Sequence, residues 1–136
     1  MKPREIKFRA WDIVELKMHS HKDCFSMSAD GKWWQYAEQG YMVNTDDSQE
    51  FILMQFTGLK DKNGTEIFEG DVIYCEEYYV KRMGVIVEDI ERTGFKINWL
   101  TKTDFNEYLH VRIDKIKVIG NIYEHPELIN QPNTNK

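Results

Sequence analysis

Three side chains of types that bind metals stand close together early in the sequence, namely His19, His21 and Cys24. Zinc in structural sites takes four cysteine or histidine ligands in a tetrahedron. Three residues far along the chain could complete such a set: Cys75, His110 and His125. No Cys-x-x-Cys pair supports the cluster, so we interpret it as a surface loop with a half-buried thiol. We predict no metal and no cofactor, and keep a metal-binding protein as an alternative.

Three carboxylates in the middle of the sequence are the second candidate for chemistry: Asp61, Glu69 and Asp71. Paired carboxylates divide acid and base roles when their environments separate their pKa values. Acidic residues beside a glycine such as Gly70 are equally typical of tight turns. The sequence has no Gly-x-Ser-x-Gly motif and neither cysteine lies in a recognisable nucleophile motif. We therefore predict no catalytic residues, and a small enzyme centred on these carboxylates stays an alternative.

The aromatic side chains are the most promising material for a binding surface. Six of them form the candidate surface: Trp11, Trp33, Trp34, Tyr78, Tyr79 and Trp99. Adjacent residues on a strand point to opposite faces, so at most one of Trp33 and Trp34 can lie in a core. Exposed aromatic rings are enriched at protein interfaces and stack on unpaired bases of single-stranded nucleic acids. Both kinds of surface stay open, beside the interpretation that loops cover the rings.

The charge distribution favours a protein partner over a nucleic acid. The 136-residue chain has a net charge of −5, whereas proteins that bind nucleic acids are usually basic because phosphate neutralisation drives their affinity. Residues 1–22 and 92–118 each carry six basic and three acidic side chains, but residues 66–91 carry eight acidic and two basic ones. The run from Glu76 to Tyr79 would repel phosphate and suits a basic protein. Nucleic-acid binding is therefore an alternative that the charge disfavours.

The elements that must position these residues are predicted to be strands. Residues 5–10 alternate between polar and apolar, as a half-buried strand does. Two further strand-like runs, 24–28 and 32–36, flank Asp30-Gly31, which is a typical hairpin sequence. Short strands separated by turns continue from residue 51 to 123, which indicates a small barrel or sandwich. Helix signals are few: one run from Thr103 to Leu109, and a turn that opens at Pro126.

Hydropathy and cysteine content point to a cytoplasmic protein. The longest apolar runs, such as Phe51–Met54, are only four residues long, whereas a membrane-spanning helix needs about 20. The first residues contain no apolar stretch after their charges, so we expect no secretory signal. Both cysteines, Cys24 and Cys75, are then expected to be reduced thiols.

Three separate stretches carry a family resemblance. The first is REIKFRAWD (4–12), the second is LMQFTGLKDKNG (53–64) continuing through IFEGD (67–71), and the third is VIGNIYE (118–124) with PEL (126–128). Together they resemble the YopX family of proteins from phages and prophages of Gram-positive bacteria. The resemblance implies an all-β fold with an SH3-like barrel. It brings no known activity and no catalytic residues.

We therefore predict an all-β protein with an SH3-like small barrel over residues 51–124. An N-terminal β segment over residues 1–50 packs on it, and residues 125–136 form a C-terminal turn and frayed tail. One or two short helices complete the fold. The predicted function is a non-catalytic interaction module that binds a phage protein, a host protein or a second copy of itself. A single-stranded nucleic-acid binder and a small enzyme or metal protein are the alternatives.

Overall fold

The computed structural model describes residues 5–20, 25–27, 33–36, 42–44, 51–91, 94–100 and 107–130, and the side chains of the three short ranges between 25 and 44 lie outside the description. Strands dominate these residues, which confirms the predicted all-β class. The SH3-like form of the barrel stays a prediction. The C-terminal tail, residues 131–136, lies outside the described residues.

The strands are numbered in chain order. The first six are β1 (Phe8–Asp12), β2 (Lys17–His19), β3 (Phe25–Met27), β4 (Trp33–Tyr36), β5 (Met42–Asn44) and β6 (Phe51–Lys60). The remaining six are β7 (Glu66–Phe68), β8 (Asp71–Glu77), β9 (Val80–Asp89), β10 (Gly94–Trp99), β11 (Glu107–Tyr108) and β12 (Ile116–Asn121).

Residues Lys7–Met54 form one compact unit. β1 and β2 pair antiparallel, and the Asp12 carboxylate shapes the turn between them by accepting the backbone N–H groups of Val14 and Glu15, each at 2.9 Å. β3 pairs with β4 and β4 with β5, both antiparallel. The pairing of β3 with β4 confirms the predicted hairpin, although Asp30-Gly31 itself lies outside the described residues.

Residues 1–6 and Gln55–Lys136 form the second compact unit. Its main element is a five-stranded antiparallel sheet with the strand order β11-β10-β9-β8-β12. The short strands expected between residues 51 and 123 include four strands of this sheet, β8, β9, β10 and β12. In the same unit β6 pairs with β7 around the turn at residues 61–65.

One side of this sheet is covered by a hydrophobic core in which isoleucine predominates. The buried residues of the core are Ile67, Ile73, Cys75, Ile86, Ile97, Trp99, Leu109 and Ile116. Full burial of one such aliphatic side chain stabilises a fold by about 1.5–3 kcal/mol. Gly84 makes room for this packing, because a Cβ at its position would lie 2.5 Å from Ile97 Cγ2 and 3.0 Å from Trp99 Cε3.

The helical content is limited to two 3₁₀ helices within the described part of the chain, Leu109–Val111 and Pro126–Leu128. The prediction of a helix from Thr103 to Leu109 is wrong for Glu107 and Tyr108, because these residues pair with β10 as strand β11. Leu109 is then buried in the core. Residues 101–106, including Thr103, lie outside the described residues. The second helix begins at Pro126, as the sequence predicts.

Candidate interaction site at the β8–β9 hairpin

The hairpin of β8 and β9 ends in a two-residue turn made of Tyr78 and Tyr79, because Glu77 and Val80 are the last paired residues. Both tyrosines have positive φ angles, 51° and 65°. Turns with two positive φ angles favour Asn-Gly, since side chains with a bulky Cβ substituent are strained in this region. The sequence therefore places two bulky residues where local energetics would select the smallest ones.

The two rings are also the most exposed large side chains of the hairpin. Tyr78 is 88% and Tyr79 is 99% exposed, and the neighbouring Val80 is 57% exposed. We call these three residues the tyrosine tip. The positive φ angles of the two tyrosines cost free energy, and their exposed rings do not offset that cost by burial in the isolated chain. Residues with such strained backbone conformations are found most often at functional positions.

A chain of ion pairs lies at the base of the tyrosine tip. Arg112 donates from Nε to Glu107 at 2.6 Å and from Nη1 to Glu77 at 2.8 Å. Arg82 donates from Nη1 to the other oxygen of Glu107 at 3.3 Å. The order Arg82–Glu107–Arg112–Glu77 alternates in sign, so the four charges cancel. The network ties the last residue of β8 to β11 and to the end of the first 3₁₀ helix.

The aromatic ring of Trp99 supports one end of this network. The guanidinium carbon of Arg82 lies 4.1 Å from the centre of the Trp99 ring, a distance typical of a cation–π contact. Trp99 is 5% exposed. The indole is therefore buried, and its ring contacts the guanidinium of Arg82.

The charges of the network shift two pKa values. Partial burial raises the pKa of Glu107, but the hydrogen bonds and positive charges of Arg112 and then Arg82 outweigh this effect, so the pKa lies below its ordinary value. The hydrogen bond and negative charge of Glu107, and then the charge of Glu77, raise the pKa of Arg112. Both shifts favour the charged forms of Glu107 and Arg112.

A cleft of about 300 Å³ opens beside the tyrosine tip. Its lining combines charged groups with apolar and aromatic surface: Glu77, Tyr78, Val80, Arg82 and Arg112. The volume is at the lower end of the range for small-molecule sites. The lining holds no serine, cysteine or histidine nucleophile.

The six aromatic residues expected to form a surface are not all placed alike. Tyr78 and Tyr79 lie at the tip, whereas Trp11 and Trp99 are buried, at 8% and 5% exposed. The side chains of Trp33 and Trp34 lie outside the described residues. Of the six residues predicted to form an interaction surface, Tyr78 and Tyr79 are therefore the ones that the described residues show as exposed.

Each of the three carboxylates considered for catalysis accepts hydrogen bonds from backbone N–H groups. Glu69 accepts the N–H of Gln55 at 3.1 Å, and Asp71 accepts the N–H of Phe68 at 2.8 Å. Asp61 accepts three backbone N–H groups. Carboxylates used in this way stabilise turns, as acidic residues beside glycine commonly do.

The residues considered for a metal site are also occupied in other ways. His19 is buried with its Nε2 atom 3.8 Å from Asp12 Oδ2, and Cys75 lies in the core of the C-terminal unit. His110 stacks on Tyr108, and His125 Nδ1 accepts the Asn121 N–H at 3.2 Å. No group of three metal-ligating side chains occurs among the residues that the structure describes. His21 and Cys24 lie outside them.

Sequence patterns gave no sign of the network residues Arg82, Glu107 and Arg112. Arg82 and Glu107 are 25 positions apart, and Arg112 and Glu77 are 35 positions apart. The pairing of β8, β9, β10 and β11 brings Glu77, Arg82 and Glu107 together, and Arg112 follows β11 at the end of the first 3₁₀ helix. Within the described ranges, no helix has the length and apolar character needed to cross a lipid bilayer.

Comparison with known proteins identifies the family. The family model described as YopX protein matches residues 7–130. The crystal structure of protein EF1440 from Enterococcus faecalis is 27% identical, with a TM-score of 0.63 over 94% of this chain and 100% of that chain. The crystal structure of protein yopX from Bacillus subtilis is 19% identical, with a TM-score of 0.62 over 90% of this chain and 96% of that chain, and so supports the fold alone. No curated protein matches the chain. Because the family model spans most of the sequence, the protein belongs to the YopX family.

Proposed function

We propose that this protein is a non-catalytic interaction module whose tyrosine tip docks into a protein partner of phage or host origin. The observation that carries the proposal is the placement of two highly exposed tyrosines at positive φ in the turn of the β8–β9 hairpin. Tyrosine supplies a large contact area with few rotatable bonds and is enriched at binding hot spots. The strain at the tip is then explained by contacts in a complex.

The ion-pair network supports the same proposal. Arg112 holds Glu77, the residue that immediately precedes the turn, and links it to Glu107. A tip that is held in place before binding loses less conformational entropy when the complex forms. The adjacent cleft gives the partner a place to insert a side chain of its own.

The wider setting of the proposal follows from the family. We place the protein in the cytoplasm of a bacterial host, encoded by a phage or prophage. The SH3-like barrel over residues 51–124, with an N-terminal β segment over 1–50 and a C-terminal turn over 125–136, belongs to the same proposal. Nucleic-acid binding has less support, because the tryptophans of its basic segments, Trp11 and Trp99, are buried.

Quantitative co-purification from the bacterial host tests the proposal. Wild-type protein is compared with the double variant Tyr78→Asn/Tyr79→Gly, which removes both rings and keeps the turn. Ile90→Ser is the matched control, since Ile90 is 85% exposed at the turn after β9. We expect one protein to accompany wild type and the control in constant ratio and to be lost with the double variant. Retention of that protein by the double variant, or no accompanying protein at all, would contradict the proposal.

A further inference from the structure

A second feature concerns the outer edge of β12. This strand pairs with β8 on one side and is the last strand of the five-stranded sheet. An uncovered edge strand offers a row of unpaired backbone groups on which another strand can form. Its sequence, IKVIGN, favours such pairing, because it contains three β-branched residues and a single charge.

The turn that follows β6 covers this edge. Lys62 donates its backbone N–H to the carbonyl of Ile116 at 3.2 Å, and Val118 donates its N–H to Asp61 Oδ2 at 2.9 Å. Alternate residues of an edge strand turn their backbone groups away from the sheet. Ile116 and Val118 are two such residues, and one backbone group of each, the Ile116 carbonyl and the Val118 N–H, is already engaged.

Asp61 is held in the right place to do this. Its side chain is buried, and its Oδ1 atom accepts the N–H groups of Asn63 and Thr65, each at 2.9 Å. The two local hydrogen bonds fix the carboxylate so that Oδ2 reaches Val118, which is 57 positions away. An ionised carboxylate only accepts hydrogen bonds, whereas an amide of the same shape would bring donors into a site lined by N–H groups.

We propose that Asp61 closes the edge of β12 against strand addition by a second copy of this chain. A second copy is the partner that fits, because antiparallel pairing of two identical strands generates a closed two-fold dimer. The register shift between Val118 and Gly120 also opposes strand addition, because a bulge twists the edge strand away from the geometry of regular pairing. This inference is independent of the tyrosine tip.

The molar mass of variants, measured by light scattering during size-exclusion chromatography, tests the proposal. Asp61→Asn is expected to double the mass relative to wild type as the protein concentration rises. Adding Val118→Pro removes the N–H that the new strand would use and is expected to restore the wild-type mass. Asp89→Asn is the matched control, because Asp89 is a buried carboxylate whose hydrogen bond, from the backbone N–H of Glu91, is local.

Two results would overturn the proposal. One is a wild-type mass for folded Asp61→Asn at every concentration, and the other is the same change of mass in Asp89→Asn. If Asp61→Asn does not fold, the rate of hydrogen exchange of the Val118 amide in wild-type protein shows whether the edge of β12 is closed. Slow exchange supports the closed edge, and exchange at the rate of an unprotected amide contradicts it.

Discussion

Replacing Tyr78-Tyr79 by Asn-Gly is expected to make the protein more stable while it removes the proposed binding surface. A left-handed conformation costs a bulky residue at least about 1 kcal/mol, which gives about 2 kcal/mol for the two tyrosines. Glycine loses more entropy on folding, which takes back about 0.4–1 kcal/mol. Because both rings are exposed, their removal forfeits little burial. The net gain is about 1 kcal/mol.

Urea denaturation followed by circular dichroism measures this gain. For a chain of this length, about 1 kcal/mol corresponds to a rise of about 3–5 °C in Tm. Tyr78→Ala/Tyr79→Ala is the matched control, since it removes the rings but leaves two side chains at positive φ. The urea concentration at the midpoint of unfolding should rise for the Asn-Gly variant at an unchanged m-value, and it should not rise for the Ala-Ala variant. An Asn-Gly variant less stable than Ala-Ala would refute the claim that the tyrosines strain the turn.

Three further predictions concern the core, the ion-pair network and acid. Gly84→Ala should lower the free energy of unfolding by about 1–3 kcal/mol in urea titrations, because the new methyl group overlaps Ile97 and Trp99; an unchanged midpoint would contradict this packing. Arg112→Ala should speed hydrogen exchange near residues 76–81 more than in the rest of β8 and β9, because Glu77 and Glu107 lose their shared partner; uniform rates would argue against a tip held by the network. Burial raises the pKa of Asp61, but hydrogen bonds from Val118, Thr65 and Asn63 and the charge of Lys62 lower it overall, from 3.8. The stabilisation is therefore complete above the unfolded pKa and lost as pH falls through the folded one. Wild-type stability should decline below about pH 4, and the decline should be shallower in Asp61→Ala.

Local patterns in the sequence predicted much of the fold. Alternation and turn residues located the strands that became β8, β9, β10 and β12, because each depends on neighbours close in sequence. The pattern from residue 103 to 109 predicts a helix, but at residues 107–109 pairing with β10 and the burial of Leu109 override it. Tertiary contacts of this kind leave no trace in a short window of residues.

At the candidate site, too, some features follow from the local sequence and others depend on tertiary contacts. Tyr78 and Tyr79 were predicted as surface candidates from residue type, and their exposure is consistent with that role. Trp99 was assigned the same role, but its ring packs beneath Arg82 and in the core. Residue type alone does not distinguish a buried tryptophan from an exposed one, and the network of Arg82, Glu107 and Arg112 depends on strand register.

Photo-crosslinking in living host cells tests the central claim most directly. A benzophenone amino acid is placed at position 79 in one strain and at position 90, the exposed site after β9, in another. Adducts are then separated by mass and identified by mass spectrometry. The account predicts one discrete protein adduct at position 79 that is absent at position 90. The same adducts at both positions, or adducts at position 90 alone, would contradict the tyrosine tip as the contact surface.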